Sequence, residues 1–250
     1  MVDVPADVFA LAMLGLGAVV LLTSLRYAWA AGRIVRAPSF DSIANPTAGI
    51  RVTAEGTART GADGPLASPL RDRDALAVEA TAEERRLALL ALPLPTWVQL
   101  ARTSVTESFR VRTPTADLAL VEPTSSVVLG SETVTVSAPG DDRSESVAAF
   151  ERRHGVPERT IWQRRPPVLG AFARALSLGS RRYREGSLEP GEDVFVAGRL
   201  VETGDGFGLA PRVVSDRSPA ATLWDAAQTA LVGSAAGAAG LLVGAVLLLA

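Results

Sequence analysis

The sequence has no cysteine, no lysine and a single histidine, His154. Without cysteine there is no disulfide, no thiolate nucleophile and no Cys-ligated zinc. One histidine cannot build a His-rich metal site. All 25 basic residues are arginine, as a GC-rich coding bias produces. The formal net charge of −2 leaves no bulk affinity for nucleic acid. No G-x-S-x-G elbow, Walker loop or H-E-x-x-H helix is present. Gly204-x-Gly206-x-Gly208 is not a dinucleotide loop, because no helix follows to hold a phosphate at its N-terminus. His154 stands at a helix end in ERRHGV, and Asp141-Asp142 read as solvated turn residues. We therefore assign no catalytic residue, no metal ligand and no cofactor.

What the chain does have is apolar ends. Hydrophobic residues make up 48% of it, with a mean hydropathy of +0.23. Val8 to Leu25 carries no charge, and eighteen residues at about 1.5 Å each cross a hydrocarbon core. Tyr27 and Trp29 follow as an interfacial belt, so residues 8–31 read as a first span after a short tail, 1–7. The acidic start, Asp3 and Asp7, argues against a cleaved signal peptide. Residues 226–250 form a second uncharged segment. In it Gly233, Gly237, Gly240 and Gly244 fall on one helical stripe, suited to packing on the first span or to a homo-oligomer contact. Arg26, Arg33 and Arg36 at the inner end of the first span predict both termini outside the cell membrane and the middle of the chain in the cytoplasm.

Between the spans, 37–49 reads as a linker and 50–217 as one domain. Alternating stretches predict strands at Ile50–Arg59, Ala75–Ala82, Trp97–Val105, Ser108–Arg112, Asp117–Val121, Ser126–Leu129, Thr133–Ser137 and Asp193–Leu200. A short helix is expected from Ser144, as N-cap, to His154. The fold class is α+β: two transmembrane helices flanking a β-rich soluble domain, a small barrel or antiparallel sheet, with one or two short helices. From Glu151 to Arg184 there are nine Arg and two Glu. Within that stretch the apolar segment 167–178 is too short to span a bilayer. Either it packs in the core, or it lies on the inner leaflet with Arg164, Arg165, Arg174, Arg181 and Arg182 on anionic headgroups. Tyr183 and Glu185 make either a polar contact between strands or a ligand-contacting pair.

Four stretches in order resemble the GIDE/MULAN family, membrane-anchored E3 ubiquitin ligases with a "beside a membrane" (BAM) domain. They are VTAEGTARTGADGPLASP (with Gly56 and Pro69), ALAVEATAEERR, SFRVRTPTADLALVEP and RRYREGSLEPGEDVFVAGRL. The last contains Tyr183, Glu185, Pro190, Gly191 and Gly198, which match the family's closing motif. Many members carry a Cys in the second stretch, where this chain is apolar. The resemblance implies a domain on one side of the membrane and both termini on the other. In the ligases a zinc-bound RING finger follows the second span. The 250 residues end at Ala250 with no Cys, so no RING residue carries over.

These features imply a RING-less, prokaryotic relative: a membrane-tethered interaction or sensing domain without evident ligase chemistry. Its expected partners are the lipid bilayer and an unidentified protein, with no nucleic acid. An alternative is an accessory subunit assembled, or homo-oligomerised, through the second span. An E3 ubiquitin transferase is supported by the family name only.

Overall fold

A computed structural model describes residues 6–88, 94–124, 126–164, 170–204 and 206–249. Two long helices, α1 (Ala6–Val35) and α5 (Pro219–Leu249), stand at the two ends of the chain. Between them lie a barrel and a second sheet.

The barrel uses β1 (Arg51–Thr60), β6 (Phe109–Arg112), β7 (Asp117–Leu120), β11 (Asp193–Thr203) and β12 (Gly206–Ser215). They pair in the order β11-β1-β6-β7-β12, and a direct β11–β12 pairing closes the ring. All contacts are antiparallel except β7–β12. Numbered as barrel strands alone, the circuit runs 1-2-3-5-4, the connectivity of an OB barrel. Alternation drives closure: Val52 and Ala54 of β1, Val111 of β6, Leu118 and Leu120 of β7, and Val194 and Val196 of β11 point to one apolar core. Two chain crossings need glycine. A Cβ on Gly56 would lie 2.1 Å from the Arg112 carbonyl oxygen, and one on Gly198 would lie 2.4 Å from that of Ala210.

Two outgrowths interrupt the barrel. The first holds β2 (Leu66–Ala67), β3 (Asp74–Ala75), β4 (Ala77–Ala88) and β5 (Leu94–Thr106). The second holds β8 (Val127–Val128), β9 (Glu132–Ser137), α2 (Glu145–Arg153), α3 (Ile161–Arg164), α4 (Gly170–Ala175) and β10 (Arg181–Leu188). Four of their strands meet as one antiparallel sheet, β5-β4-β10-β9, while β2 pairs with β3 and β8 joins β12 of the barrel. Helix α2 begins at Ser144, whose hydroxyl accepts from the Val147 N–H, and it lays Val147 and Phe150 on Val78, Ala80, Ala82 and Tyr183. Leu76, Ala77 and Leu188 join the barrel core, so β4 and β10 run from one core to the other.

The α+β class and the small barrel agree with the sequence reading. One local difference is a strand absent from the expected set: Arg181–Leu188 forms β10. Of the apolar segment 167–178, residues 167–169 lie outside the described residues and 170–175 form α4, with Ala173 and Leu178 buried and Phe172 exposed.

Helices α1 and α5 form an antiparallel hairpin. Apolar stretches long enough to cross a membrane run from Asp7 to Trp29 and from Ala230 to Leu249. Added Cβ atoms would meet Leu21 N at 2.7 Å from Gly237, and Leu14 Cγ at 2.7 Å from Gly244. Gly17 completes the crossing, since its Cβ would lie 2.8 Å from the Gly237 carbonyl oxygen. The glycine stripe faces α1 of the same chain, and the close approach that small residues permit is made within the hairpin.

Candidate functional site

The densest polar chemistry lies under α2, on one face of β10. A strand alternates its side chains with period two, so Arg181, Tyr183 and Glu185 share a face. All three are buried, with Arg181 fully so. Arg181 pairs with Glu84 opposite it on β4, Nε to Oε2 at 3.5 Å, and with Glu151 of α2, Nη1 to Oε1 at 2.5 Å. It also donates to the Pro157 carbonyl. The Tyr183 hydroxyl donates to the same Glu151 oxygen at 2.5 Å. Arg143 closes on Glu151 Oε2 at 2.6 Å, and Arg86 on Glu84 Oε1 at 2.8 Å. Thr160 donates to Glu84 at 2.9 Å. Both buried carboxylates are therefore satisfied by charged donors, as burial demands.

Burial foremost, then the hydrogen bond to Glu151, pushes the Tyr183 phenol well above the usual phenol range. The phenol stays protonated and serves as a donor, not as a base. Glu185 is held from another direction. It accepts from the Ser68 hydroxyl at 2.6 Å and the Leu70 N–H at 2.8 Å. Pro69 lies between those two donors, so two residues of the family-like motifs meet at one clamp. Tyr183 and Glu185 do not form a pair with each other. Each binds a partner brought from elsewhere in the chain.

This corrects the expected role of Arg181: an ion cluster fixes it in the interior, away from any lipid. Arg182 faces the other side of the sheet, on Glu83 at 2.6 Å and 4.5 Å above the Trp97 ring. Arg174 is exposed and donates to the Gly170 carbonyl. Arg165 lies outside the described residues. Pro190 and Gly191 turn β10 into β11, with Gly191 at φ +94° and its N–H on the Ala58 carbonyl. His154 caps α2, its ring 4.5 Å from that of Phe150.

Glu151 also floors a cleft of about 630 Å³ between α2 and α3, with Arg143, Arg152, Arg159 and Arg164 on its walls. Its floor carboxylate is engaged by three donors, and Asp141 and Glu158 line the opening beside the arginines, so the wall carries both signs with arginine in excess. A second cleft is lined by Glu132, Glu185, Glu189, Glu192 and Asp193 together with Arg71 and Arg73. No cluster of three or more ligating side chains able to hold a metal occurs among the described residues. Sequence reasoning missed Glu84, Glu151 and Ser68 as partners of the closing motif. Their pairing depends on strand register across distant segments, which leaves no local signal. Comparison with family models, with curated proteins and with solved structures returned no match.

Proposed function

We propose that the protein is a membrane-tethered interaction module, in which a two-helix hairpin holds an OB-type barrel and its appended sheet at a bilayer surface. The carrying observation is the hairpin. Leu11, Leu16 and Leu22 of α1 and Leu231, Val232 and Leu242 of α5 are exposed, an apolar surface that water penalises and lipid accepts. Tyr27, Trp29 and Trp224 are exposed at its domain end, where an aromatic belt belongs. Both helices leave the barrel together, so the termini share one side and the domain takes the other. The sequence resemblance to the BAM region supports the same arrangement, with the partner-binding half of that architecture and no zinc ligands for a RING.

The partner-facing surface in this reading is the arginine-walled cleft over α2, and its complement is an acidic protein segment. The rigid ion cluster beneath holds the cleft in shape. A cysteine-free chain makes topology directly testable. Single substitutions Asp7→Cys and Asp63→Cys in intact cells should label with a membrane-impermeant maleimide in opposite fashion, Asp7→Cys reacting and Asp63→Cys protected until lysis. Equal labelling of both would overturn the spanning arrangement.

A further inference from the structure

The end of the barrel nearest α1 gathers arginines from β1, β11, β12 and α1. Arg51 of β1 lies directly opposite Arg199 of β11. Like charges in that position repel, and a sheet normally avoids them. On the next strand, the β11–β12 register slips: Ala197 pairs with Val213 and Gly198 with Pro211, leaving Arg212 as the extra residue of a bulge. A bulge re-aims the side chain it carries. Here it brings a third guanidinium to the same place. Helix α1 supplies a fourth, Arg33, stacked 4.6 Å above the Trp29 ring.

Trp29, Arg33, Arg51, Val52, Gly198 and Arg212 line a cavity of about 120 Å³, and no carboxylate contributes to its wall. Among the described residues none of Arg33, Arg51, Arg199 and Arg212 is ion-paired. Exposed arginines without a carboxylate partner occur elsewhere in the described residues too, Arg59 and Arg112 among them, but here three line one cavity whose wall holds no carboxylate. Such a cavity favours an anion from outside. The location says which. Trp29 is the last residue of the first apolar stretch, so the cavity opens where hydrocarbon gives way to headgroups.

We propose that this cavity binds the phosphate of an anionic phospholipid, with Arg51 and Arg212 from the barrel and Arg33 from α1 as its donors and Arg199 adding positive charge beside it. Arginine forks match a phosphodiester's paired oxygens, and basic pockets beside spanning helices select lipid headgroups in this way. The cavity admits the phosphate and leaves the acyl chains along α1. The cationic wall repels the ammonium of a choline headgroup, which sets a preference for lipids of net negative charge. The inference rests on α1 and α5 crossing a membrane.

The test uses the full chain purified in a neutral detergent. Native mass spectrometry would follow binding of dioleoylphosphatidylglycerol, dioleoylphosphatidylcholine and inorganic phosphate. Phosphatidylglycerol should bind at least about tenfold more tightly than phosphatidylcholine. The double variant R51Q/R212Q should lose that preference, by roughly 30-fold in affinity for phosphatidylglycerol, with an unchanged melting temperature. The control R152Q/R159Q, at the other arginine cleft, should behave as wild type. Equal affinity for the two lipids, or undiminished phosphatidylglycerol binding by R51Q/R212Q, overturns the proposal. Inorganic phosphate displacing the lipid at equimolar concentration reassigns the cavity to a free ion and overturns it as well. Alkaline carbonate treatment separates the two levels of failure. A chain released into the soluble fraction defeats the membrane reading, and a chain retained without lipid preference defeats only this inference.

Discussion

Arg181 and Arg51 occupy comparable places, each in a β-strand and each directly opposite a charged neighbour. Arg181 faces Glu84, and Arg51 faces Arg199. The first is fully buried within a cluster that satisfies its guanidinium three times over. The second is exposed and lacks an ion-pair partner among the described residues. The contrast separates two uses of one residue type. In the sheet, arginine is a structural cation whose removal strands carboxylates in the interior. At the barrel end, arginine is repelled by its neighbours, an arrangement that adds nothing to folding and makes sense as a surface awaiting an anion.

The contrast is sharpest at Arg181. Replacing it by Met leaves Glu84 and Glu151 buried without their central cation, and should cost roughly 3–5 kcal/mol. A thermal melt of the full chain in detergent checks it. Adding Glu84→Met, Glu151→Leu and Tyr183→Phe to Arg181→Met should restore much of the loss, because a buried cluster replaced whole by apolar side chains is close to neutral. Failure of that rescue would show the cluster to be worth more than its desolvation.

Next in size is the Glu185 clamp. Glu185→Leu leaves the Ser68 hydroxyl and the Leu70 N–H without an acceptor, at a cost of roughly 1–3 kcal/mol. Amide exchange at Leu70 should accelerate more than exchange across β10.

Tyr183→Phe removes one hydrogen bond to a charged group and should cost about 1.5–3 kcal/mol at neutral pH, toward the lower end because Arg181 still satisfies the same Glu151 oxygen. Its signature is in the alkaline range. The folded phenol keeps its proton while the unfolded one loses it near about pH 10. Tyr183 stabilisation is therefore complete below that pH and declines as pH rises beyond it. Denaturant midpoints measured from pH 8 to 11 should fall more steeply for the wild type than for Tyr183→Phe. Parallel curves would sink the assignment.

The smallest effect has the opposite sign. Arg199→Gln relieves the Arg51–Arg199 repulsion and should raise stability by about 0.5 kcal/mol or less at low ionic strength, the gain vanishing in 1 M salt. A loss of stability comparable to that in Arg181→Met would erase the distinction between the two arginine groups.

Much of the architecture is legible in the chain. Period-two alternation announces Val52 and Ala54, or Val194 and Val196, as inward-facing positions. The Ser144 cap marks α2, and the uncharged ends mark α1 and α5. Pairing was not legible. The glycine stripe of α5 shows a contact face, but only the folded hairpin chooses α1 as its occupant. The arginines near Val168–Leu178 look alike in sequence, yet the pleat sends Arg181 inward and Arg182 outward. Arg51, Arg199 and Arg212 are scattered in the chain and unremarkable one at a time. They converge because an antiparallel register and one bulge bring them together, and neither is written in local composition.

The circuit of strands also sets an order of events. β1 needs β11 as its neighbour, and the second sheet needs β10 beside β4, so neither layer closes until those late strands have been made. By then α1 has long since emerged, and in the proposed membrane arrangement it is already available to the bilayer. The barrel would thus assemble late, beside a surface, from segments far apart in sequence, a route that is slow and exposed to misassembly. Delaying α1 insertion should then cost yield of folded domain, although α1 contributes little to its core.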